Sequence, residues 1–244
     1  MLEIKKLSFT APDATPRADI LKDIDLTVED GTFLVLTGPN GGGKTTLAKT
    51  VMGLTMPSSG EIIFDGTDIT SMSVTERAKL GIGYAFQHPP RFTGMKVIDL
   101  LSLAAGKEKL ARADCCAYLT KVGLCAADYV DREVDSSLSG GELKRIEIAT
   151  VLAGNAKLMI FDEPEAGIDL WSFAKLTETF GELHKNSKAT IIIISHQERI
   201  ISLADKIAVI SNGCITDYGT KDEVMPKILN RVGGCEFMRG GDKK

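Results

Sequence analysis

Two patterns of hydrophobic and polar positions alternate along the chain. Short runs rich in β-branched residues, which are typical of strands, recur between longer segments with helical periodicity. The runs predict strands at residues 2–8, 24–28, 32–37, 60–66 (an edge strand), 82–86, 158–161 and 190–194, and a hairpin of residues 206–210 and 214–218 around Asn212-Gly213. Because strands alternate with helical segments, we expect an α/β fold built on parallel strands.

Segments with helical periodicity are concentrated in the middle of the chain. Leu- and Ala-rich stretches replace the β-branched runs at residues 96–105, 108–122 and 141–153. We therefore predict one domain over residues 1–244. Its expected parts are a core of residues 1–93 and 154–232, an inserted helical subdomain of residues 94–153, and a flexible tail of residues 233–244 that contains Cys235.

Composition narrows the possible classes of function. The 244 residues include 29 basic and 33 acidic side chains, for a formal net charge of −4. A general nucleic-acid-binding protein is expected to be basic, so nucleic acid is not an expected partner. The apolar runs are much shorter than the roughly 20 residues of a membrane span, which predicts a cytoplasmic protein without direct membrane insertion. The five cysteines form no C-x-x-C pair and predict no metal site.

A glycine-rich segment after the third predicted strand carries a strong chemical signal. It satisfies G-x-x-x-x-G-K-[ST] and opens a helix predicted at residues 44–53. Glycines let backbone N–H groups turn towards phosphates, Lys44 supplies a positive charge, and the Thr45 hydroxyl can ligate Mg²⁺. The predicted nucleotide-binding residues here are Gly38, Pro39, Asn40, Gly41, Gly42, Gly43, Lys44, Thr45 and Thr46.

Two carboxylates follow the predicted strand at residues 158–161. A phosphate loop needs an acidic metal partner on a neighbouring strand, and Asp162 is placed to hold the Mg²⁺ shell. Glu163, one residue further on, is placed to polarise an attacking water as a general base. The pair therefore predicts phosphoanhydride hydrolysis with Mg²⁺.

The pentapeptide Leu-Ser-Gly-Gly-Glu at residues 138–142 determines the class of protein. With this signature the chain resembles the ATP-binding cassette (ABC) ATPases. The resemblance implies a P-loop NTPase fold with a mixed sheet core, an antiparallel β-subdomain and an inserted α-helical subdomain. It also implies that ATP brings two copies of the chain together head to tail, so that Ser139 and Gly141 of one copy close on ATP held by the other.

The other landmarks of the family follow in order. By resemblance, Gln87 reaches ATP and the metal, which makes Thr45, Gln87 and Asp162 the expected Mg²⁺ ligands, and His196 is a second catalytic residue beside Glu163. Residues 166–169 match the loop that crosses the dimer. The family usually stacks adenine on an aromatic residue after the first strand. Ala11 occupies about the position where tyrosine is common, and Phe9 is the nearest aromatic candidate. The alternative is that Phe9 belongs to the core and that the adenine base is recognised loosely.

Within the family, two segments are most similar to the ATPase of the Suf iron–sulfur cluster assembly system. They are Tyr-Ala-Phe-Gln-His-Pro at residues 84–89 and Ser-His-Gln-Glu-Arg-Ile at residues 195–200. This implies a soluble β-helical scaffold partner of the SufB/SufD type. Pro164 and the following Glu-Ala-Gly-Ile-Asp depart from the Suf pattern. The alternative is the ATP-binding subunit of a membrane transporter, whose partner is a transmembrane permease.

Two further expectations concern partners and regulation. The partner surface is expected at residues 88–93 and 97–103, although Leu100, Leu101 and Leu103 fit a subdomain core better than a contact surface. Lys144 matches a Suf-type lysine that pairs with the catalytic carboxylate in the free subunit. It is therefore either a lock on Glu163 or a solvated helix lysine.

Overall fold

The computed structural model describes residues 1–11 and 18–233. Its strands are β1 (Leu2–Ala11), β2 (Ala18–Val28), β3 (Phe33–Thr37), β4 (Ser59–Phe64), β5 (Thr67–Asp68), β6 (Ile82–Ala85), β7 (Phe92–Lys96), β8 (Glu133–Val134), β9 (Leu158–Asp162), β10 (Thr190–Ile194), β11 (Lys206–Ser211) and β12 (Cys214–Thr220). Its helices are α1 (Lys44–Met52), α2 (Val74–Leu80), α3 (Val97–Ala104), α4 (Arg112–Lys121), α5 (Ala126–Tyr129), α6 (Gly140–Ala153), α7 (Leu170–Asn186), α8 (Glu198–Ile201) and α9 (Lys221–Gly233).

A six-stranded sheet organises the fold. Its strand order is β12-β11-β3-β10-β9-β6, in which β11, β3, β10, β9 and β6 run parallel and β12 pairs antiparallel with β11. The expected parallel α/β core and the expected hairpin are therefore both present. Since parallel strands end at one edge, the loops after β3, β6, β9 and β10 all leave the sheet on the same side.

Both faces of this sheet are buried. Every residue of β3, β9 and β10 is buried, which is why these strands read as continuous apolar runs in the sequence. Alternate residues enter two cores: Phe161 and Ile193 pack with the helical side, and Ile160 and Ile192 pack against the antiparallel sheet. The sheet is thus the middle layer between two hydrophobic cores.

The second sheet has the order β2-β1-β4-β5, with antiparallel pairing throughout. β1 and β2 extend to Ala11 and from Ala18, beyond the predicted strand bounds. The strand and the turn predicted at residues 60–66 are present, but the prediction that this strand lies at the sheet edge was wrong. The chain turns at Asp65 (φ 49°) and Gly66 (φ 76°), and the two residues of β5 cover β4 on that side.

The region at residues 94–153 contains α3, α4, α5 and α6, and also a part not predicted, the small antiparallel pair β7 and β8. α4 begins at Arg112, four residues later than predicted.

Leu101, Leu119 and Ile146 pack in the same core as the central sheet. Of the three leucines discussed above, Leu101 is buried as expected, whereas Leu103 is 69% exposed. Cys235 lies outside the described residues.

None of the helices in the described part of the chain combines the length and the apolar character needed to cross a bilayer.

A fully buried arginine connects α1 to the antiparallel sheet. Arg77, on α2, donates to the carbonyls of Thr50 and Val51 at the end of α1, at 2.7 and 2.8 Å. It also donates to the carbonyls of Thr70 and Met72, at 2.8 and 3.0 Å. The Thr50 carbonyl also accepts the Gly53 N–H at 3.1 Å, so Arg77 adds a second donor there and is a donor to the other three carbonyls. The guanidinium thereby stabilises the junction between the two layers.

We predict that Arg77→Met destabilises the protein by about 2–4 kcal/mol, because several carbonyls lose their donor at once. Urea unfolding measures this free energy. The matched control is Arg112→Met, which removes an exposed ion pair with Asp131 and is expected to cost no more than about 1 kcal/mol. Equal effects of the two substitutions would contradict the assignment.

Candidate functional site

The phosphate loop lies between β3 and α1, as its sequence predicts. Gly38 has φ 130°, and a Cβ atom there would lie 2.1 Å from the carbonyl oxygen of Ile210. Only glycine fits this approach, because both the backbone conformation and the space exclude a side chain. α1 begins at Lys44 with no acidic residue in its first turn, so the positive end of the helix points into the loop.

Lys44 lies inside the loop with 5% of its surface exposed. Its Nζ donates to the carbonyl oxygens of Gly38 and Pro39, at 2.8 and 2.9 Å. Burial lowers the pKa of Lys44, and the nearby Glu163 and Asp162 partly oppose that shift. The ammonium group is thus held where a bound phosphate would meet it.

Asp162 is buried at the end of β9 and is held by two hydroxyl groups. Thr45 Oγ1 donates to its Oδ1 at 3.1 Å, and Tyr84 OH donates to its Oδ2 at 3.0 Å. Burial raises the pKa of Asp162, and these two hydrogen bonds work against the shift. A carboxylate beside a threonine hydroxyl supplies the hard oxygen donors that Mg²⁺ prefers, so these residues fit that ion. Tyr84 was missed in the sequence analysis because it reads as an ordinary apolar strand position.

Glu163 stands just beyond the strand in a strained backbone conformation, with φ 45°. Its N–H donates to the carbonyl of Ile194 at 3.0 Å, which ties it to the neighbouring strand β10. Its Oε2 accepts a 2.8 Å hydrogen bond from Gln87 Nε2. A non-glycine residue with positive φ costs about 1–3 kcal/mol and persists where surrounding contacts enforce it, often at a functional site.

Lys144 fulfils neither of the two predicted roles. It is fully buried, and its Nζ donates to the backbone carbonyls of Phe86 and of Asp162, the latter at 3.0 Å. Its charged partner is Glu147, one turn along α6 at 3.7 Å, rather than Glu163. Both the lock on Glu163 and the solvated lysine were therefore wrong, because the helix faces inward at this position.

His196 follows β10 and is exposed at its tip. Its Nδ1 lies 3.4 Å from Thr37 Oγ1, and the partial loss of water around the ring together with the charge of Lys44 lowers its pKa. A buried carboxylate not singled out in the sequence analysis supports this turn. Glu165 Oε1 accepts from Ser195 Oγ at 2.6 Å, and the same Oγ accepts from the Gln197 N–H at 3.0 Å. Glu165 thereby links the segment after Glu163 to the turn that carries His196.

An open cleft of about 660 Å³ lies along the phosphate loop. It brings together Asn40, Gly41, Gly42, Gly43, Lys44, Thr45, Thr46, Gln87 and Glu163, and its far wall includes Ala18, Asp19 and Ile20. Phe9 is not among the residues that line the cleft; it is half-buried and packs against the core under the antiparallel sheet, which agrees with the core alternative. His196 lines an adjoining cavity with Gly38, Pro39 and Asn40.

The signature segment lies apart from this cleft. Ser139 caps α6, accepting the Glu142 N–H at 3.3 Å, and Glu142 Oε2 accepts the Ser139 N–H at 2.6 Å. Gly141 packs against the dimer-loop segment, where an added Cβ would lie 2.7 Å from the Gly167 carbonyl oxygen. Ser139 is exposed, and neither it nor Gly141 lines the cleft. One chain alone therefore does not bring the signature to its own phosphate loop.

A small apolar groove lies beside the segment after β6 that contains Phe86 and Gln87, here called the glutamine loop. Its volume is about 190 Å³, and its walls include Phe86, Pro90, Phe92, Leu100 and Leu103. It overlaps both segments expected to contact a partner. Phe92 is 40% exposed, so the groove presents apolar surface to the outside.

We predict that the cap of the signature helix makes stability depend on acid pH. A hydrogen bond from Tyr129, together with those to Ser139, lowers the pKa of Glu142 to about 2. Its folded pKa lies below the ordinary value of about 4.3. Glu142 therefore contributes stability above that pH, and the contribution is lost as the pH falls towards 2.

Urea midpoints at pH 5.5 and pH 3.5 test this. The wild-type chain should lose more stability between these values than Glu142→Gln, whose amide oxygen still accepts hydrogen bonds but does not titrate. Identical losses would show that Glu142 does not carry the dependence.

The sequence profile of the ABC transporter family matches residues 21–166. The chain is 38% identical to an uncharacterized ABC transporter ATP-binding protein of Methanocaldococcus jannaschii over 224 residues, with 89% of each chain covered. It is 33% identical to the sulfate/thiosulfate import ATP-binding protein CysA of Caulobacter vibrioides over 85% of this chain, and it spans 62% of the length of that relative.

Solved structures agree on the fold. A dimeric ATP-binding cassette in a post-hydrolysis state bound to ADP and Pi superposes with a TM-score of 0.82 at 21% identity, with 91% of this chain and 99% of the other covered. A cassette from Clostridium perfringens that is part of an ABC transporter complex gives 0.74 at 29% identity, with 95% and 94% covered. The chain belongs to the ABC transporter family and is an ABC ATPase.

Proposed function

We propose that this chain is the ATP-binding subunit of a membrane transporter, working with Mg²⁺ and ATP as two copies that close head to tail on the cytoplasmic side of the membrane. The proposal draws on relatives described as transporter ATP-binding proteins, one of them for sulfate or thiosulfate import. The observation that carries it is the apolar groove beside Gln87, which offers a permease segment direct access to the loop that holds Glu163.

The proposed mechanism assigns a task to each residue of the cleft. The loop N–H groups and Lys44 bind the phosphates, and the positive end of α1 favours their charge. Thr45, Asp162 and Gln87 would hold Mg²⁺, which would offset the negative charge on the phosphates. Glu163 accepts the proton of the water that attacks the γ-phosphate, and the hydrogen bond from Gln87 orients that carboxylate.

His196, the second predicted catalytic residue, stands on the other flank of the phosphate loop. The partial loss of water around the ring and the neighbouring Lys44 lower its pKa, so at neutral pH the imidazole is neutral and can donate one hydrogen bond to the γ-phosphate. The signature completes the site from the second copy. Ser139 is exposed and caps α6, and Gly141 lies in the first turn of that helix. ATP bound to another chain can reach both residues there.

A second candidate is the ATPase of iron–sulfur cluster assembly, and the observation in its favour is the pair of Suf-like segments at residues 84–89 and 195–200. Its partner would be a soluble β-helical scaffold of the SufB/SufD type. The relatives found are transporter ATP-binding proteins and not specifically Suf proteins, which favours the transporter.

Co-purification from the native host distinguishes the two. A tagged chain is predicted to recover a protein with several membrane spans from solubilised membranes. Leu103→Asp should reduce that recovery at least about tenfold, because it places a charge in the groove. The matched control is Met56→Asp, at a 52% exposed residue outside the groove. Recovery of a soluble β-helical protein instead would favour the second candidate and contradict the transporter.

We predict that Glu163→Gln binds MgATP but hydrolyses it about 10²–10⁴ times more slowly, because the variant lacks the general base. A closed dimer should then accumulate, which ultracentrifugation measures. The only tryptophan of the chain, Trp171, lies two residues after the dimer-loop segment (residues 166–169) and is 84% exposed, so its fluorescence provides a second readout.

Lys44→Ala serves as the comparison, since it should lose nucleotide affinity and remain monomeric. Near-normal turnover by Glu163→Gln would remove Glu163 from its role. Full turnover by the wild-type chain at concentrations where only monomer is present with ATP would contradict the composite site.

A further inference from the structure

Two buried, oppositely charged side chains on α6 bind the backbone of one residue, Phe86, in the glutamine loop. Glu147 Oε1 accepts the Phe86 N–H at 2.8 Å, and Lys144 Nζ donates to the Phe86 carbonyl oxygen. Phe86 directly precedes Gln87. The backbone N–H and the carbonyl of Phe86 are thus both bound by residues of one turn of α6.

The same helix also holds the residue before the catalytic glutamate. Lys144 Nζ donates to the Asp162 carbonyl at 3.0 Å, and Asp162 directly precedes Glu163. Gln87 and Glu163 are then joined through their own side chains at 2.8 Å. The relative position of these two residues therefore depends on where α6 holds the backbone before each of them.

The two charged side chains form a buried pair that leaves one carboxylate oxygen without a hydrogen bond. The side chains of Lys144 and Glu147 are 1% and 10% exposed, and they are 3.7 Å apart. Glu147 Oε2 is buried and finds no hydrogen-bond donor among the described residues. Burial raises the pKa of Glu147 to about 7 despite the nearby lysine. A buried ion pair with an unsatisfied oxygen is weak evidence for a stabilising role, because an apolar pair often serves at least as well.

Glu147 also reaches the outside of the molecule through the apolar groove. It lines that groove with Phe86, Leu143 and Ile146, while the N-terminus of the same helix carries the signature residue Ser139. A contact in the groove and a contact at the signature therefore both act on the helix that holds Phe86.

We propose that Glu147, paired with Lys144, is a positioning residue that sets the hydrogen bond between Gln87 and Glu163. Movement of α6, produced at the groove or at the signature, shifts the backbone of Phe86 and thereby controls whether Glu163 is aligned. This rests on the roles proposed above for Gln87 and Glu163.

The test is steady-state ATPase kinetics at a saturating chain concentration. Glu147→Ala is expected to lower kcat about tenfold or more, because the Phe86 N–H loses its acceptor, while KM for ATP changes less than about threefold because the phosphate loop is untouched. The matched control is Thr150→Ala, which lines the same groove one turn further along α6 but bonds only to its own helix. It should change kcat less than twofold.

A double mutant separates positioning from general destabilisation. Gln87→Ala should itself lower kcat, and adding Glu147→Ala to it should lower kcat by less than about a further twofold, because Glu147 acts through Gln87.

Glu147→Gln retains an acceptor for the Phe86 N–H but not the charge opposite Lys144. It should keep kcat within about threefold of wild type while its melting temperature falls.

Several results would overturn the inference. These are an unchanged kcat for Glu147→Ala, a full tenfold effect of that substitution in the Gln87→Ala background, or a kcat that follows melting temperature across the variants. If Gln87→Ala lowers kcat but Glu147→Ala does not, the role of Gln87 stands and only the inference fails. If Gln87→Ala leaves kcat normal, the role of Gln87 and the inference fail together.

Discussion

A parallel sheet buried on both faces has only its strand ends free for chemistry, and this constraint organises the molecule. β3, β9 and β10 have no exposed residue, and their polar side chains lie only at the strand ends. The phosphate loop, Asp162, Glu163 and His196 therefore come from different parts of the chain but meet at one edge.

The buried cations are a second recurring feature. Lys44, Arg77 and Lys144 all donate to backbone carbonyls at the junctions of elements. Each cation joins segments that local hydrogen bonding cannot connect, since carbonyls at the ends of helices and strands lack partners within the element. Hydrogen bonds from a buried cation to backbone carbonyls thus shape the phosphate loop, join the two layers and hold the segments before Gln87 and Glu163 to α6.

The site divides into one part that binds nucleotide and another that faces outward. The cleft along the phosphate loop gathers the residues proposed for binding and hydrolysis, whereas Ser139 stands exposed at the start of α6. α6 connects this outward end to the buried contacts with Phe86 and Asp162. Communication between a second copy, a partner in the groove and Glu163 can therefore run through one helix.

The sequence by itself determined the features that depend on local pattern. Buried parallel strands appear as apolar runs, and the phosphate loop and signature are contiguous motifs, so the α/β core, the hairpin and the order of candidate residues could be predicted. Tertiary structure decided the features that depend on which face of an element is buried. Lys144 and Glu147 have the composition of a solvated helix face but lie inside, Phe9 packs into a core, and Tyr84 reaches Asp162 across the sheet. Such contacts join residues far apart in the chain, and no local periodicity records them.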